Sequence, residues 1–567
     1  MPILDQHTPS PPAQVPVPIP AVNAGLAVMT VLRNYGIDAV FGIPGTHNLE
    51  FYRHLNSLGI RPVTSRHEQG AGYAADGWAQ QTGLPGVVIT TSGPGLLNAL
   101  SAAGTAYCES RPLIVLSPGV PEGEEFADNG SLHETKNPTG AAGAIMQWSR
   151  RVRSAAEAVT AVHDAFELFR YGRPRPVHIE VPLNILEAEH DCPVGLLAAR
   201  PLRGPAPAEV YAVETAAQLL RAARHPVILA GGGSLRAGTT LTELAELLQA
   251  PVVTTLNGKA AISEAHPLSL GSNIRLAAAQ DLCGAADVLL VIGSKVGSAE
   301  MWGGSITPTG TVIRVDILET QLGKNLDADI GLIGDAGAVV PQLLASLRGH
   351  TAMPADLGAV RVRILDEARA LDPDLAAISE TIAEAVEPDA IIGGDSSQIT
   401  YFGTSTFIPQ QRPHSLLYTP AYATLGYGLP ASIGAKIAAP ERQVVCVAGD
   451  GALMFAVQEL ATAAEQRLDL TIVCVDNGGY GEIRQNERDR GIEDVGVNLH
   501  QPDWAALAVA FGGSGERAEN LADLGALLRT ARSTGGVQLI HVRLPLTGDS
   551  APRPGHPART LRQEDSQ

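Results

Sequence analysis

An α/β protein of three consecutive domains, each a parallel sheet flanked by helices, is what this sequence predicts, and three observations carry the prediction. Apolar, β-branched runs alternate with alanine-rich segments of helical period along most of the chain: Gly86 to Thr91, Leu113 to Ser117, Val227 to Ala230, Val288 to Ile292, Thr311 to Asp316, Val444 to Ala448 and Thr471 to Val475. Runs that are apolar throughout belong to strands covered on both faces, and connecting them through helices makes the sheets parallel. Composition agrees: 45% of residues are hydrophobic but only 4% aromatic, which suits aliphatic strands under alanine-rich helices. The 567 residues are room for about three to four domains of ~150 residues each. Two breaks, "CPVGLLAARPLRGPAPAEV" near 192–210 and "GHTAMPADLG" near 349–358, divide them into blocks 21–190, 205–345 and 365–548.

The ends read differently. Residues 1–20 carry seven prolines and are expected to be a disordered tail; residues 549–567 are expected to be a flexible one. The first residues lack the basic start and apolar core of a secretory signal. Five cysteines lie far apart, as in a cytoplasmic protein with reduced thiols. No apolar stretch approaches the ~20 residues of a membrane span. A formal net charge of −19, spread along the chain, disfavours nucleic acid and anionic membrane as partners.

Within the third block, "VVCVAGDGALMFAVQELATAAEQRLDLTIVCVDNGGYGEI" (444–483) has two apolar runs, each ending beside glycines, with a helix-like segment between. A right-handed crossover makes the two strands parallel neighbours or near neighbours, so their carboxyl ends open onto one edge. Asp450 ends one run and Asn477 follows the other. One carboxylate, one amide oxygen and a backbone carbonyl form a hard-oxygen set for Mg²⁺ or Ca²⁺, leaving positions for phosphate oxygens. Glycines let the backbone approach such phosphates.

Gly449-Asp450-Gly451 followed after 24 residues by Asp476-Asn477 resembles the thiamin diphosphate motif, with Asp476 in place of its first Asn. "FGIPGTHNLEF" (41–51), "SRHEQGAGYAADGWAQQTG" (65–83), "TSGPGLLNAL" (91–100), "VDILETQLGKNLDADIGLIGDA" (315–336) and "GYGLPASIGAK" (426–436) resemble, in order, segments of the acetolactate synthase and benzoylformate decarboxylase family. The resemblance spans about residues 22–545. It implies a pyrimidine-binding domain, a central domain and a diphosphate-binding domain. It assigns Asp450, Asn477 and the Gly479 carbonyl to Mg²⁺. Glu68 becomes the carboxyl group that activates the cofactor through pyrimidine N1′. Leu425 props the cofactor's bend, the Ala423 carbonyl accepts its 4′-amino hydrogen, and Ser396, Ser397, Gly449, Gly451, Ala452 and Tyr480 meet it around the diphosphate. Because Glu68 and Asp450 fall in different blocks, the family pattern implies a site between subunits, in a homodimer or homotetramer.

The implied reaction is decarboxylation of a small-molecule 2-oxo acid, with release of an aldehyde or carboligation to a second carbonyl compound. Departures from the family pattern bear on which acid is used. Thr91 stands where benzoylformate decarboxylase has a catalytic His. "LHET" puts Leu132 and His133 where acetolactate synthases have Phe-Gln, and Gln147 replaces their channel lysine. His133 and His47 are candidate proton-transfer groups. Thr46, Thr91, Leu132, Glu482 and Ile483 are candidates for the substrate pocket. "LLVIGSKVGSAEMWGG" (289–304) lacks the Arg-Phe-Asp-Asp-Arg-like run of flavin-bearing relatives, so FAD is not expected. "AGGGS" (230–234) lacks a full dinucleotide fingerprint and reads as structural. "FGIPGTH", "LHE" and "GYGEIR" are similar to decarboxylases of 5-guanidino-2-oxopentanoate, and a carboxylate at Glu482, paired with either Arg484 or the substrate, suits a basic-tailed acid. The alternatives are acetolactate synthesis from pyruvate and, from another class, a non-catalytic regulatory protein of the same fold. Intact Glu68, Asp450 and Asn477 speak against the latter.

Overall fold

The computed structural model describes residues 22–545 apart from Asp191; both expected tails lie outside the described residues. Three parallel sheets follow one another along the chain. The first orders its strands Arg61–Thr64, Ala39–Gly42, Gly86–Ile89, Leu113–Gly119, Val177–Pro182 and Trp148–Arg151. The central one runs Val252–Thr254, Pro226–Ala230, Val288–Ile292, Thr311–Asp316 and Ile330–Ile333. The third runs Leu416–Leu417, Ile391–Gly394, Val444–Gly449, Leu470–Asp476, Val537–Arg543 and Ser514–Ala518. A short antiparallel pair, Val22–Asn23 with Glu189–His190, closes the first unit. The runs read as strands are strands, and they are covered on both faces: separate apolar clusters lie on the two sides of the third sheet, around Ile472 and Ile540.

Strand order places the chemistry. In the first sheet the chain turns outward in opposite directions from the adjacent strands Ala39–Gly42 and Gly86–Ile89. In the third it does so from Ile391–Gly394 and Val444–Gly449. Open α/β sheets bind ligands at such switch points, beyond the strands' carboxyl ends. His47 and Ser92 therefore follow one switch point, and Ser396, Ser397 and Asp450 the other.

The expected crossover helix after Asp450 is broken into Asp450–Leu453 and Glu459–Glu465. The break aims Glu459 at the first unit, where its Oε1 accepts the N–H groups of Arg66 at 3.0 Å and His67 at 3.1 Å. First and third units also meet through the helices Glu68–Thr82 and Gly428–Ala438. Their contact is built on missing side chains: a Cβ on Gly434 would overlap the Ala74 carbonyl, and one on Gly77 the Ala431 carbonyl. Beside it lies buried Arg111. Its guanidinium donates to Asp76 at 2.5 Å, to the Tyr427 hydroxyl at 2.7 Å and to the Tyr418 carbonyl at 2.5 Å, so one charge joins residues of both units. No helix among the described residues is long and apolar enough to cross a membrane.

Candidate active site

At the first switch point, Glu68 opens its helix behind an N-cap at His67, whose ring accepts from the Gln69 N–H at 3.1 Å. Glu68 is buried, and its Oε2 accepts from Asn98 Nδ2 at 3.0 Å. Burial, and then the charge of Glu68, push the Tyr52 hydroxyl far up from its ordinary value. Thr91 has a buried hydroxyl with no hydrogen-bond partner among the described residues. Its neighbour Ser92 bonds His47 Nδ1 at 2.7 Å and His133 Nδ1 at 3.3 Å, and the two rings stand edge to face with centroids 5.3 Å apart. His133 sits at φ +62°, an uncommon backbone state for a side-chain-bearing residue. Gly93 makes room for it, since a Cβ there would press on the His133 carbonyl. Burial, then His133, hold His47 below its ordinary value. His47, Ser92, Gly93 and His133, with Leu132, line a cavity of about 150 Å³. Leu132 itself is 60% exposed, and Thr46 is exposed too.

The third sheet gathers the other group. Asp450 is buried; its Oδ1 accepts the Asn477 N–H at 3.2 Å and its Oδ2 accepts from Gln501 Nε2 at 2.6 Å. Burial raises its carboxyl to about 6, so a cation beside it would be strongly favoured. The Asn477 side chain donates to Gln398 Oε1 at 3.1 Å, while its Oδ1 is buried with no partner among the described residues. Gly479 brings its carbonyl toward Gly451, and the Tyr480 ring lies on Gly451. A carboxylate, an orphaned amide oxygen and a carbonyl fit a hard divalent cation. Ser397 Oγ accepts the Gly449 N–H at 3.2 Å, which bridges the switch point, and Ser396 and Ala452 are buried nearby. Asp395, fully enclosed and raised by burial to about 6, accepts the N–H groups of Gly426 at 3.0 Å and Gly428 at 2.9 Å. It thereby holds the turn that presents Ala423, at φ +51°, and the half-buried Leu425.

Between central and third units runs a larger cleft of about 710 Å³. Ala423, Glu482, Ile483 and Asn486 border it on one side, Glu300 and Trp302 on the other. Glu482 Oε2 accepts from Gln398 Nε2 at 3.3 Å. Arg484 donates to Asn498 Oδ1 at 2.9 Å and to the Asn477 carbonyl at 2.8 Å. Burial lifts Glu300 to about 6. Arg275, lowered by burial to about 10, lies over the Trp302 ring at 5.1 Å. The structure thus brings the expected residues together in two groups. Ser92, Asn98, Gln398, Gln501 and Glu300 were not singled out by sequence. Ser92 and Asn98 stand inside "TSGPGLLNAL", so that signal was present; Gln501 meets Asp450 across fifty-one positions, with no local signal.

Comparison with known proteins gives the arrangement its family. Residues 22–139 match the N-terminal TPP binding domain of thiamine pyrophosphate enzymes, 213–343 their central domain, and 398–542 their C-terminal TPP binding domain. A Pseudomonas aeruginosa protein named probable 2-ketoarginine decarboxylase AruI is 38% identical over 534 residues, covering 93% of this chain and 95% of that protein. The acetolactate synthase isozyme 1 large subunit of Escherichia coli is 32% identical over 536 residues, covering 91% and 93%. Acetolactate synthase of Mycobacterium bovis is 32% identical over 547 residues, covering 91% and 87%. With matches in all three units and along nearly the whole chain, this protein belongs to the thiamine pyrophosphate enzyme family that includes decarboxylases and acetolactate synthases.

Proposed function

We propose that this protein is a Mg²⁺-dependent thiamin diphosphate enzyme that decarboxylates a 2-oxo acid with a basic tail, releasing an aldehyde or joining the product to a second carbonyl compound. The observation that carries the reading is the buried Asn477 Oδ1, without a partner among the described residues, beside buried Asp450 at a switch point. Asp450, Asn477 and the Gly479 carbonyl hold the metal. Ser396, Ser397 and the N–H groups of Gly451 and Ala452 meet the diphosphate, with Tyr480 walling the loop. Bound thiamin diphosphate supplies the nucleophilic carbon and the electron sink for loss of CO₂. Glu68 would hold the proton shared with the pyrimidine ring of the bound cofactor, and its burial would keep that proton out of water. The Ala423 carbonyl would accept from the cofactor's amino group, and the Leu425 side chain would pack against the cofactor. His47 and His133 move protons at the substrate, with Thr46, Thr91 and Leu132 beside them, and Glu482 with Ile483 faces the tail.

Glu68 stands in the first unit and Asp450 in the third, and we place the Glu68 of one subunit with the Asp450 of another, in a homodimer or homotetramer whose subunits complete each other's sites. We place the enzyme in the cytoplasm, with neither FAD nor nucleic acid as partner. The name of the Pseudomonas relative and the carboxylate at Glu482 favour a guanidino-tailed acid; the synthase relatives favour pyruvate. A panel of 2-oxo acids incubated with thiamin diphosphate and Mg²⁺, with products identified by mass spectrometry, decides. Exclusive conversion of pyruvate to acetolactate rejects the basic-tail reading, and no turnover of any acid rejects the activity.

A further inference from the structure

The contact between His47, Ser92 and His133 has a consequence for which proton sits where. A serine hydroxyl carries one hydrogen and can donate to one acceptor at a time. Both rings could donate to Oγ only if its own hydrogen went to another acceptor, and among the described residues Ser92 Oγ meets no third partner beside His47 Nδ1 at 2.7 Å and His133 Nδ1 at 3.3 Å; its hydrogen therefore goes to one Nδ1, while the other Nδ1 carries a proton and donates to it. Two neutral rings so bridged hold opposite tautomers. The ring whose Nδ1 accepts has its proton at Nε2 and presents an acid; the ring whose Nδ1 donates has a bare Nε2 and presents a base.

We propose that Ser92 couples His47 and His133 into a single proton relay, one ring serving as acid when the other serves as base. In one passage, the bare Nε2 of the first ring takes a proton and its Nδ1 proton moves to Ser92 Oγ. The hydroxyl proton moves to Nδ1 of the second ring, whose Nε2 proton leaves. One proton enters, one departs, no net charge remains, and the polarity is reversed until the rings exchange with solvent. This rests on the 2-oxo acid reading: an acid anion plus one proton gives an aldehyde plus CO₂, so a group that delivers a proton at one end must be reloaded at another. Ser92 is a positioning residue here and need not touch substrate.

The surroundings favour it. Both rings and Ser92 line the same small cavity, and their approach is built by the positive φ of His133 and the bare Cα of Gly93. Burial and the neighbouring ring disfavour charge on His47, which favours for that ring the neutral state that the tautomer rule needs. The charged groups bordering the cavity are Glu124, Glu125, Lys136, Arg151 and Glu180, and the charge of Glu187 acts on His47 in the opposite, raising direction, more weakly than burial and His133. Arg151 is engaged by Glu125 and Glu180.

The test compares the wild-type holoenzyme with Ser92→Ala and Ser92→Thr. In ¹⁵N-histidine protein, with signals assigned by loss in His47→Gln and His133→Gln, the wild type should show one of the two rings protonated at Nδ1 and the other at Nε2. Ser92→Ala should lose that complementarity, and Ser92→Thr should keep it. With a 2-oxo acid that is turned over, the rate in H₂O–D₂O mixtures should be bowed for wild type and Ser92→Thr but linear for Ser92→Ala. The kcat of Ser92→Ala should fall about ten- to a hundred-fold and its pH profile should change, with KM nearly constant. Identical tautomers in the wild type, or opposite tautomers and a bowed rate retained in Ser92→Ala, overturn the relay. If no acid is turned over, the proposed function falls, while the tautomers of the wild type still decide the relay.

Discussion

Replacing Glu482 by Gln removes a charge and keeps nearly the same shape, so it isolates what the carboxylate contributes. Glu482 is half-buried at the edge of the cleft between the central and third units, with Gln398 Nε2 at 3.3 Å, while Arg484 is spent on Asn498 and the Asn477 carbonyl. A charge-assisted bond to a cationic tail contributes roughly 1.5–3 kcal/mol when well enclosed; partial exposure places Glu482 at the lower end. At about 1.4 kcal/mol per decade, that is roughly a ten-fold loss in kcat/KM for a guanidino-tailed 2-oxo acid. Pyruvate, which has no tail to meet the carboxylate, should change little. The assay is aldehyde release followed through a coupled nicotinamide-dependent dehydrogenase, with both substrates run on wild type and Glu482→Gln. Equal losses on both substrates, or a wild type that prefers pyruvate, would refute the assignment of Glu482 to the tail.

Glu68→Gln should fold and bind thiamin diphosphate with near-normal affinity in calorimetry, yet lose turnover on the order of 10²- to 10⁴-fold; near-normal turnover removes Glu68 from the activating role. Asp450→Ala should abolish Mg²⁺-dependent cofactor binding, because the diphosphate charge loses its anchored cation, and unchanged affinity would disprove the metal assignment. Acid should weaken the fold through His178, which is fully buried between the hydroxyls of Ser117 at 2.8 Å and Ser149 at 2.7 Å and lowered by burial from 6.5 to about 3. The unfolded chain takes up that proton below 6.5 and the native ring does not, so stability falls as pH drops through this window. From pH 6.5 to 5 the loss is roughly 2 kcal/mol. Denaturant midpoints of wild type and His178→Gln should converge with acidification, and parallel curves would show that other groups set the acid limit.

How much was legible depended on how local the cause was. The strands Val288–Ile292 and Thr311–Asp316 coincide with the apolar runs that signal them, because a strand buried on both faces needs such residues at every position. Val444–Gly449 and Leu470–Asp476, expected to be parallel neighbours or near neighbours, are neighbours, as consecutive strands usually are. The broken helix after Asp450 did not: its cause is Glu459 reaching two amides nearly four hundred positions away. Motif residues such as Glu68, Asp450 and Asn477 could be named because the segments around them resemble those of the family. Their supports could not, since Asn98, Gln398 and Gln501 are ordinary amides until folding sets them beside a carboxylate or another amide. The engagement of Arg484 by Asn498 was equally hidden, because a helix places several acceptors within reach of one guanidinium and only packing chooses among them.

The placement of Glu68 and Asp450 in different units also bears on genetics. If Glu68 of one subunit serves Asp450 of another, a subunit broken in the first sheet and one broken in the third can rescue each other. Glu68→Gln and Asp450→Ala chains, each inactive alone, would then assemble into mixed pairs in which one site collects both lesions and the other collects none. Equal amounts pairing at random would leave about a quarter of the sites intact. A cell carrying both defective alleles would thus keep some of the activity that neither supplies separately, and activity in the test tube would disappear on dilution as the pairs come apart.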